Sequence, residues 1–163
     1  MFKKSLEKLN TRVFPRDNID TDIIIPASFL NTFDTDELAR HAMEPLEKNF
    51  KENAEKVLVV GKNFGCGSSR EHAVWALDGC GVEIIIAESF ARIFFKNAVN
   101  FGVLPITLEN ASNLVQDGEQ IDIDLDKNQI QCEKGTFSFS PLPSFIADIA
   151  NAGGLVPYAA SGL

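Results

Sequence analysis

Apolar and polar positions alternate along the chain in blocks that predict short strands and helices in turn. Residues 9–14 alternate well enough for a first strand, which Pro15 stops. A polar turn over 16–20 leads to the apolar triplet Ile23, Ile24 and Ile25. Asp34 then opens a helix with an apolar face of Leu38, Ala39, Ala42 and Met43, reaching towards Leu46, and Glu37 stands where a capping-box partner belongs. Residues 47–56 are charged, with no apolar face of useful width, and read as a solvated connection. The unbroken apolar runs at 57–60 and 82–87 have the pattern of strands buried on both faces, as in parallel sheets. Between them Ala73, Val74, Trp75, Ala76 and Leu77 form a helical pattern, which Gly79 and Gly81 end. Ser89 is placed to cap a further helix whose inward positions are Phe90, Ile93, Phe94, Ala98 and Phe101.

The second half of the chain turns to strands. Residues 104–108 read as a strand and 111–116 as a short helix. Strict alternation over 120–125 buries Ile121, Ile123 and Leu125 and leaves Asp122 and Asp124 in water, so those aspartates need no metal to account for them. That strand pairs with 129–132 about a turn at 126–128, and 136–139 adds one more. Ser140 and Pro141 open a last helix with Phe145, Ile146 and Ile149 inward, and Gly153 and Gly154 stop it. Strand–helix units followed by a strand meander predict a layered α/β fold with a mixed sheet. With no internal repeat and no linker, residues 1–163 read as one domain.

Charge narrows the partners. Fifteen basic against 23 acidic residues leave a net charge of −8, which disfavours a nucleic-acid surface and an anionic membrane. Lys3 and Lys4 have no apolar segment behind them of the kind a secretory signal needs, and no apolar run approaches membrane-spanning length. The expectation is a cytoplasmic protein. Cys66, Cys80 and Cys132 are odd in number and widely spaced, which points to neither a disulfide framework nor a zinc site. Three cysteines could hold an iron–sulfur cluster, but a glycine turn, a helix end and a tail strand are poor places from which to converge. They read as a small turn residue and two packing residues.

The densest chemistry lies between the run at 57–60 and the helix that follows. Gly61, Gly65 and Gly67 can take positive φ and let a ligand approach the main chain. Ser68 and Ser69 then fall where a helix should start, with free N–H groups, and Arg70 adds a planar fork suited to a carboxylate or phosphate. The arrangement reads as an anion cradle holding two hydroxyls. A plainer reading makes Ser68 a helix cap, with Glu71 completing a capping box. Two phosphate motifs fail: Gly67 stands where a Walker A loop needs lysine, and Arg70 stands where a dinucleotide fingerprint needs its last glycine.

The stretch Phe64-Gly65-Cys66-Gly67-Ser68-Ser69-Arg70-Glu71-His72-Ala73 resembles the signature of the aconitase superfamily's swivelling domain, and is most similar to the small subunits of 3-isopropylmalate dehydratases. Asp17-Asn18-Ile19-Asp20-Thr21-Asp22-Ile23-Ile24-Ile25-Pro26 is a second match. Ser89-Phe90-Ala91-Arg92-Ile93-Phe94, with Asn97 and Gly102-Val103-Leu104-Pro105, is a third, in the family's order. The resemblance implies a three-layer β/β/α swivelling domain. It implies half of a hydro-lyase of leucine biosynthesis, which interconverts 2-isopropylmalate and 3-isopropylmalate by dehydration and rehydration. The [4Fe–4S] cluster would be carried by a large iron–sulfur partner subunit and not by this chain, with a small dicarboxylate as substrate.

Residue by residue, the resemblance makes Ser68 the catalytic base and Ser69 and Arg70 the contacts to a substrate carboxylate. It sets Thr21 and Asp22 at the rim of the active site and gives Ser89, Arg92 and Asn97 supporting or interface roles. The loop holding Phe29, Leu30 and Asn31 would read the substrate's variable arm. Relatives that take an extra carboxylate carry arginine in this loop, whereas here no basic residue lies between Arg16 and Arg40, which fits an apolar arm. Packing of Phe29 and Leu30 in the core is the alternative. Other functions also stay open: a related small subunit (homoaconitase, dimethylmalate or citraconate type), a stand-alone module binding a small anion, or an enzyme using Ser68 as nucleophile with His72 four positions on. Copurification with a large iron–sulfur protein separates the hydro-lyase from the module.

Overall fold

In the computed structural model, which describes residues 5–161, one long strand joins two half-sheets. β1 (Ser5–Phe14) pairs antiparallel with β5 (Gln120–Asp124) through its first half and parallel with β2 (Val57–Val60) through its second. The full order is β4 (Leu104–Thr107), β3 (Ile84–Ala87), β2, β1, β5, β6 (Gln129–Cys132) and β7 (Gly135–Ser138). Pairing is parallel from β4 to β1 and antiparallel from β1 to β7. The strand alternation starts late because of a bulge between Leu6 and Leu9, where Lys8 takes φ 54° and its N–H donates to the Asp122 carboxylate at 2.8 Å.

Every residue of β2 and β3 is buried, because both faces of the parallel half are covered. Leu58, Val60, Ile85 and Ala87 face a core shared with α2 (Thr35–Arg40), α4 (His72–Gly79) and α5 (Arg92–Phe101). Val57, Val59, Ile84, Ile86, Leu104 and Ile106 face a second core, with Ile121, Ile123 and Ile130 of the antiparallel half and Ala111 of α6 (Ala111–Leu114). The antiparallel strands thus cover one face and the helices the other, which makes the layers β, β and α. Among the described residues, no helix is long and apolar enough to cross a membrane.

Several elements depart from expectation. Residues 47–56 are not merely solvated: they contain α3 (Phe50–Asn53), and Phe50 is buried with its ring 5.9 Å from that of Phe14. Glu47 takes two bonds from Arg12, at 3.0 and 2.9 Å. One aromatic and one buried-side ion pair anchor a segment that has no periodicity to show it. α2 ends at Arg40, and Ala42 and Met43 reach the core from the turns that follow. Ile93 and Phe101 of α5 are exposed, as is Phe145 of α7 (Ser144–Asn151), while Phe94, Ala98 and Ile149 are buried. Beyond Gly153 and Gly154 the chain forms a further helix, α8 (Leu155–Ala160).

Candidate functional site

The glycine-rich segment after β2 is an arch pinned from two sides. From the segment before α1 (Thr21–Ile24), Arg16 C=O accepts the N–H of Gly61 at 3.2 Å and Ile19 C=O that of Gly65 at 2.8 Å. The Asp17 carboxylate accepts Lys62 N–H at 2.7 Å, and the Asn18 and Thr21 N–H groups donate back to Lys62 and Cys66 carbonyls at 2.8 and 2.9 Å. On the other side Ser89 Oγ accepts Asn63 N–H at 2.8 Å, and Ser89 C=O accepts Phe64 N–H at 3.1 Å. Ser89 therefore braces the arch and does not cap α5, whose N-cap is Ala91 with no side-chain bond. Gly65 has φ +81°, and a Cβ there would lie 2.2 Å from Cγ of Phe94. Its missing side chain makes room for the protein's own ring, not for a ligand.

The helix after the arch begins late. α4 starts at His72, with Glu71 at the N-cap and no side-chain capping bond, so Ser68 is neither a cap nor inside the first turn. The N–H of Ser68 instead donates to Thr21 Oγ1 at 3.2 Å, and the two hydroxyl oxygens lie 3.3 Å apart. Thr21 is buried, whereas Ser68 and Ser69 are exposed. Arg70 Nη1 bonds the Asp22 carboxylate. Three consecutive residues thus divide the work: Asp20 caps α1 by accepting Ile23 N–H at 2.8 Å, Thr21 holds Ser68, and Asp22 holds Arg70.

The loop expected to read the substrate arm follows α1. Phe29 and Leu30 are half-buried against the helix-side core, and Asn31 is exposed. The Phe29 ring lies on the His41 imidazole at 3.8 Å between centroids, 12° from parallel. Phe33, beyond this loop, is 77% exposed, with its ring 5.9 Å from His72 and 6.2 Å from Trp75. A lone aromatic in a polar stretch carries no periodic signal, and sequence reasoning passed over it. His72 faces Trp75 at 4.7 Å; its Nε2 is buried without a hydrogen-bond partner among the described residues. Ser68 Oγ faces Thr21 and not this ring, so the geometry offers no serine–histidine nucleophile.

The cysteines do not suit an iron–sulfur cluster held by this chain. Cys66 lies in the arch. Cys80 abuts the helix-side core, where its thiol donates to Ala39 C=O at 3.4 Å and burial pushes its pKa up to about 12. Cys132 abuts the opposite core, with its thiol donating to Leu114 C=O at 3.5 Å. A cluster needs thiolates that converge on one cavity, and Cys80 and Cys132 lie against opposite cores. Among the described residues, no group of three or more His, Cys, Asp or Glu could hold a metal ion.

A two-cored β/β/α domain whose arch carries two exposed serines and a half-buried arginine defines the class: an aconitase-type swivelling domain. In agreement, the family profile described as the aconitase C-terminal domain matches residues 34–111. The 3-isopropylmalate dehydratase small subunit of Caldicellulosiruptor bescii is 49% identical over 146 residues, 87% of this chain and 88% of that protein. The subunit of the same name from Halothermothrix orenii is 42% identical over 96% of this chain and 98% of its own length. The crystal structure of a 3-isopropylmalate dehydratase from Methanocaldococcus jannaschii superposes with a TM-score of 0.88 at 40% identity, covering 97% of this chain and 95% of that one. The chain belongs to the family of 3-isopropylmalate dehydratase small subunits.

Proposed function

We propose that the chain, acting as a single swivelling domain in the cytoplasm, completes the active site of a hydro-lyase that interconverts 2-isopropylmalate and 3-isopropylmalate. The observation that carries this is that Thr21 and Asp22, neighbours in α1, hold Ser68 and Arg70 respectively. The large partner subunit carries the [4Fe–4S] cluster, which supplies the Lewis acidity for loss and return of the hydroxyl. This chain supplies the base. Ser68 Oγ takes the proton from the carbon adjacent to the one that bears the hydroxyl. Ser69 and Arg70 hold a substrate carboxylate; the bond to Asp22 uses one of the five N–H donors of the guanidinium and orients the rest.

Serine is a poor acid, so its alkoxide must be stabilised. Thr21 Oγ1 accepts the Ser68 N–H, which leaves its own proton to donate towards Ser68 Oγ. Arg70, two residues on, adds positive charge to the same segment, part of it offset by Asp22. The substrate arm lies along Phe29, Leu30 and Asn31, in a stretch with no Lys or Arg between Arg16 and Arg40 to match a further carboxylate. The test is reconstitution with the large subunit under anaerobic conditions, assayed on isopropylmalate, citrate, homocitrate and dimethylmalate. Turnover is expected with isopropylmalate foremost; a higher kcat/KM for any of the other three would overturn the substrate assignment.

A further inference from the structure

We propose that His41 is a positioning residue for the substrate-reading loop: held by Glu44, its imidazole is the floor on which Phe29 lies, and this sets where Leu30 and Asn31 stand relative to Ser68 and Arg70. The inference rests on the isopropylmalate reading above.

The loop has few anchors of its own. Its 3₁₀ turn, Ala27–Phe29, has no side-chain cap, and its backbone bonds are local: Phe29 N–H to Pro26 C=O at 3.0 Å and Leu30 N–H to Ala27 C=O at 3.2 Å. At its far end Thr32 Oγ1 donates to Glu37 at 3.1 Å. Between these points Phe29 and Leu30 rest against the helix-side core, and Phe29 also stacks on His41. At 3.8 Å and 12° this is the closest ring pair among the described residues, the next being 4.7 Å.

His41 is itself held in place. It is the C-cap of α2, with its N–H donating to Leu38 C=O at 3.1 Å, and Nδ1 lies 2.9 Å from Glu44 Oε2. Met43, between the two, donates its N–H to Ile24 C=O at 2.8 Å. Ile24 is the last residue of the helix that carries Thr21 and Asp22. One turn of chain after α2 thus grips both the helix behind Ser68 and Arg70 and the ring of the loop. The stack therefore ties the loop to the same turn that holds α1. Pre-setting that loop lowers the ordering cost of binding and leaves the proton transfer untouched.

The test uses the reconstituted two-subunit enzyme. In His41→Ala the KM for isopropylmalate is expected to rise about tenfold, the upper end of what a stacked ring pair is worth, with kcat within about twofold. His41→Phe keeps the plane without the Glu44 bond and is expected to restore most of the KM loss, while thermal melts of both variants identify a merely destabilised fold, which would lower the melting temperature and kcat together. A second readout is independent of activity. The chain has two histidines, so the His41 ring protons are readily assigned by NMR; stacked on Phe29 they are expected upfield, and Phe29→Leu is expected to return them towards ordinary values. Unchanged KM in His41→Ala, a kcat loss of equal size in both His41 variants, or ring protons at ordinary positions in the unsubstituted chain would each overturn the inference. If the unsubstituted complex is active and only these results fail, the function stands without it; an unsubstituted complex inactive on isopropylmalate removes both.

Discussion

Thr21 Oγ1 accepts the N–H of Ser68 while its oxygen lies 3.3 Å from the serine hydroxyl, so substitutions at the two positions have different expected outcomes. Ser68 is exposed and caps no helix. Ser68→Ala is therefore expected to leave the melting temperature nearly unchanged, whereas loss of a true cap costs about 1 kcal/mol. Turnover of the reconstituted enzyme is expected to fall by at least ~10²-fold, the lower scale for a positioned proton-transfer group. Normal turnover in the folded variant would refute Ser68 as base. Thr21→Val keeps the shape, removes the hydroxyl and leaves a backbone N–H without its partner. It is expected to lower the melting temperature through a loss of roughly 1–3 kcal/mol and to lower kcat more than KM. Steady-state kinetics and thermal melts on the same preparations check both.

Among the elements, the arch needs glycine at more than one position: a Cβ at Gly61 would lie 2.6 Å from the Arg16 carbonyl oxygen, and one at Gly65 would run into Phe94. Gly65→Ala forces a positive φ on alanine and drives a methyl into Phe94, with an expected loss of roughly 2–4 kcal/mol. For a chain of this size that is a fall of roughly 5–15 °C in melting temperature. Gly81→Ala is the control: φ is +87°, but a Cβ there meets nothing within 4 Å, so only the conformational cost of roughly 1–2 kcal/mol remains. Calorimetry or a CD melt distinguishes the pair, and equal losses would show that the Phe94 contact does not matter. The strands at 57–60 and 84–87 and the hairpin over 120–132 were legible because an apolar run or a period of two survives in them. The start of α4 was not legible. A serine before an apolar helix looks like a cap, and here the Ser68 N–H is taken by Thr21, 47 residues earlier.

At the scale of the whole molecule, the two cores lie on opposite faces of the parallel half-sheet and separate Cys80 from Cys132. The chain purified alone under anaerobic conditions is expected to lack stoichiometric iron and sulfide and to show no isomerase turnover. A bound cluster at one per chain, by iron and sulfide assay, would overturn the division of labour between subunits. The layered α/β class, the main strands along the chain and the residue types of the arch were determined by the sequence itself, since periodicity and glycine placement are local properties that any folded form must satisfy. Which neighbours those residues acquired was decided by tertiary structure alone. Ser89 became a brace, Asp22 the partner of Arg70, Thr21 the support of Ser68 and Phe50 a buried anchor, because each of these contacts joins segments far apart in the chain. A hydrogen bond across dozens of residues leaves no period in either segment, so the arch could be singled out from its residues but its geometry arose only when three distant stretches closed around it.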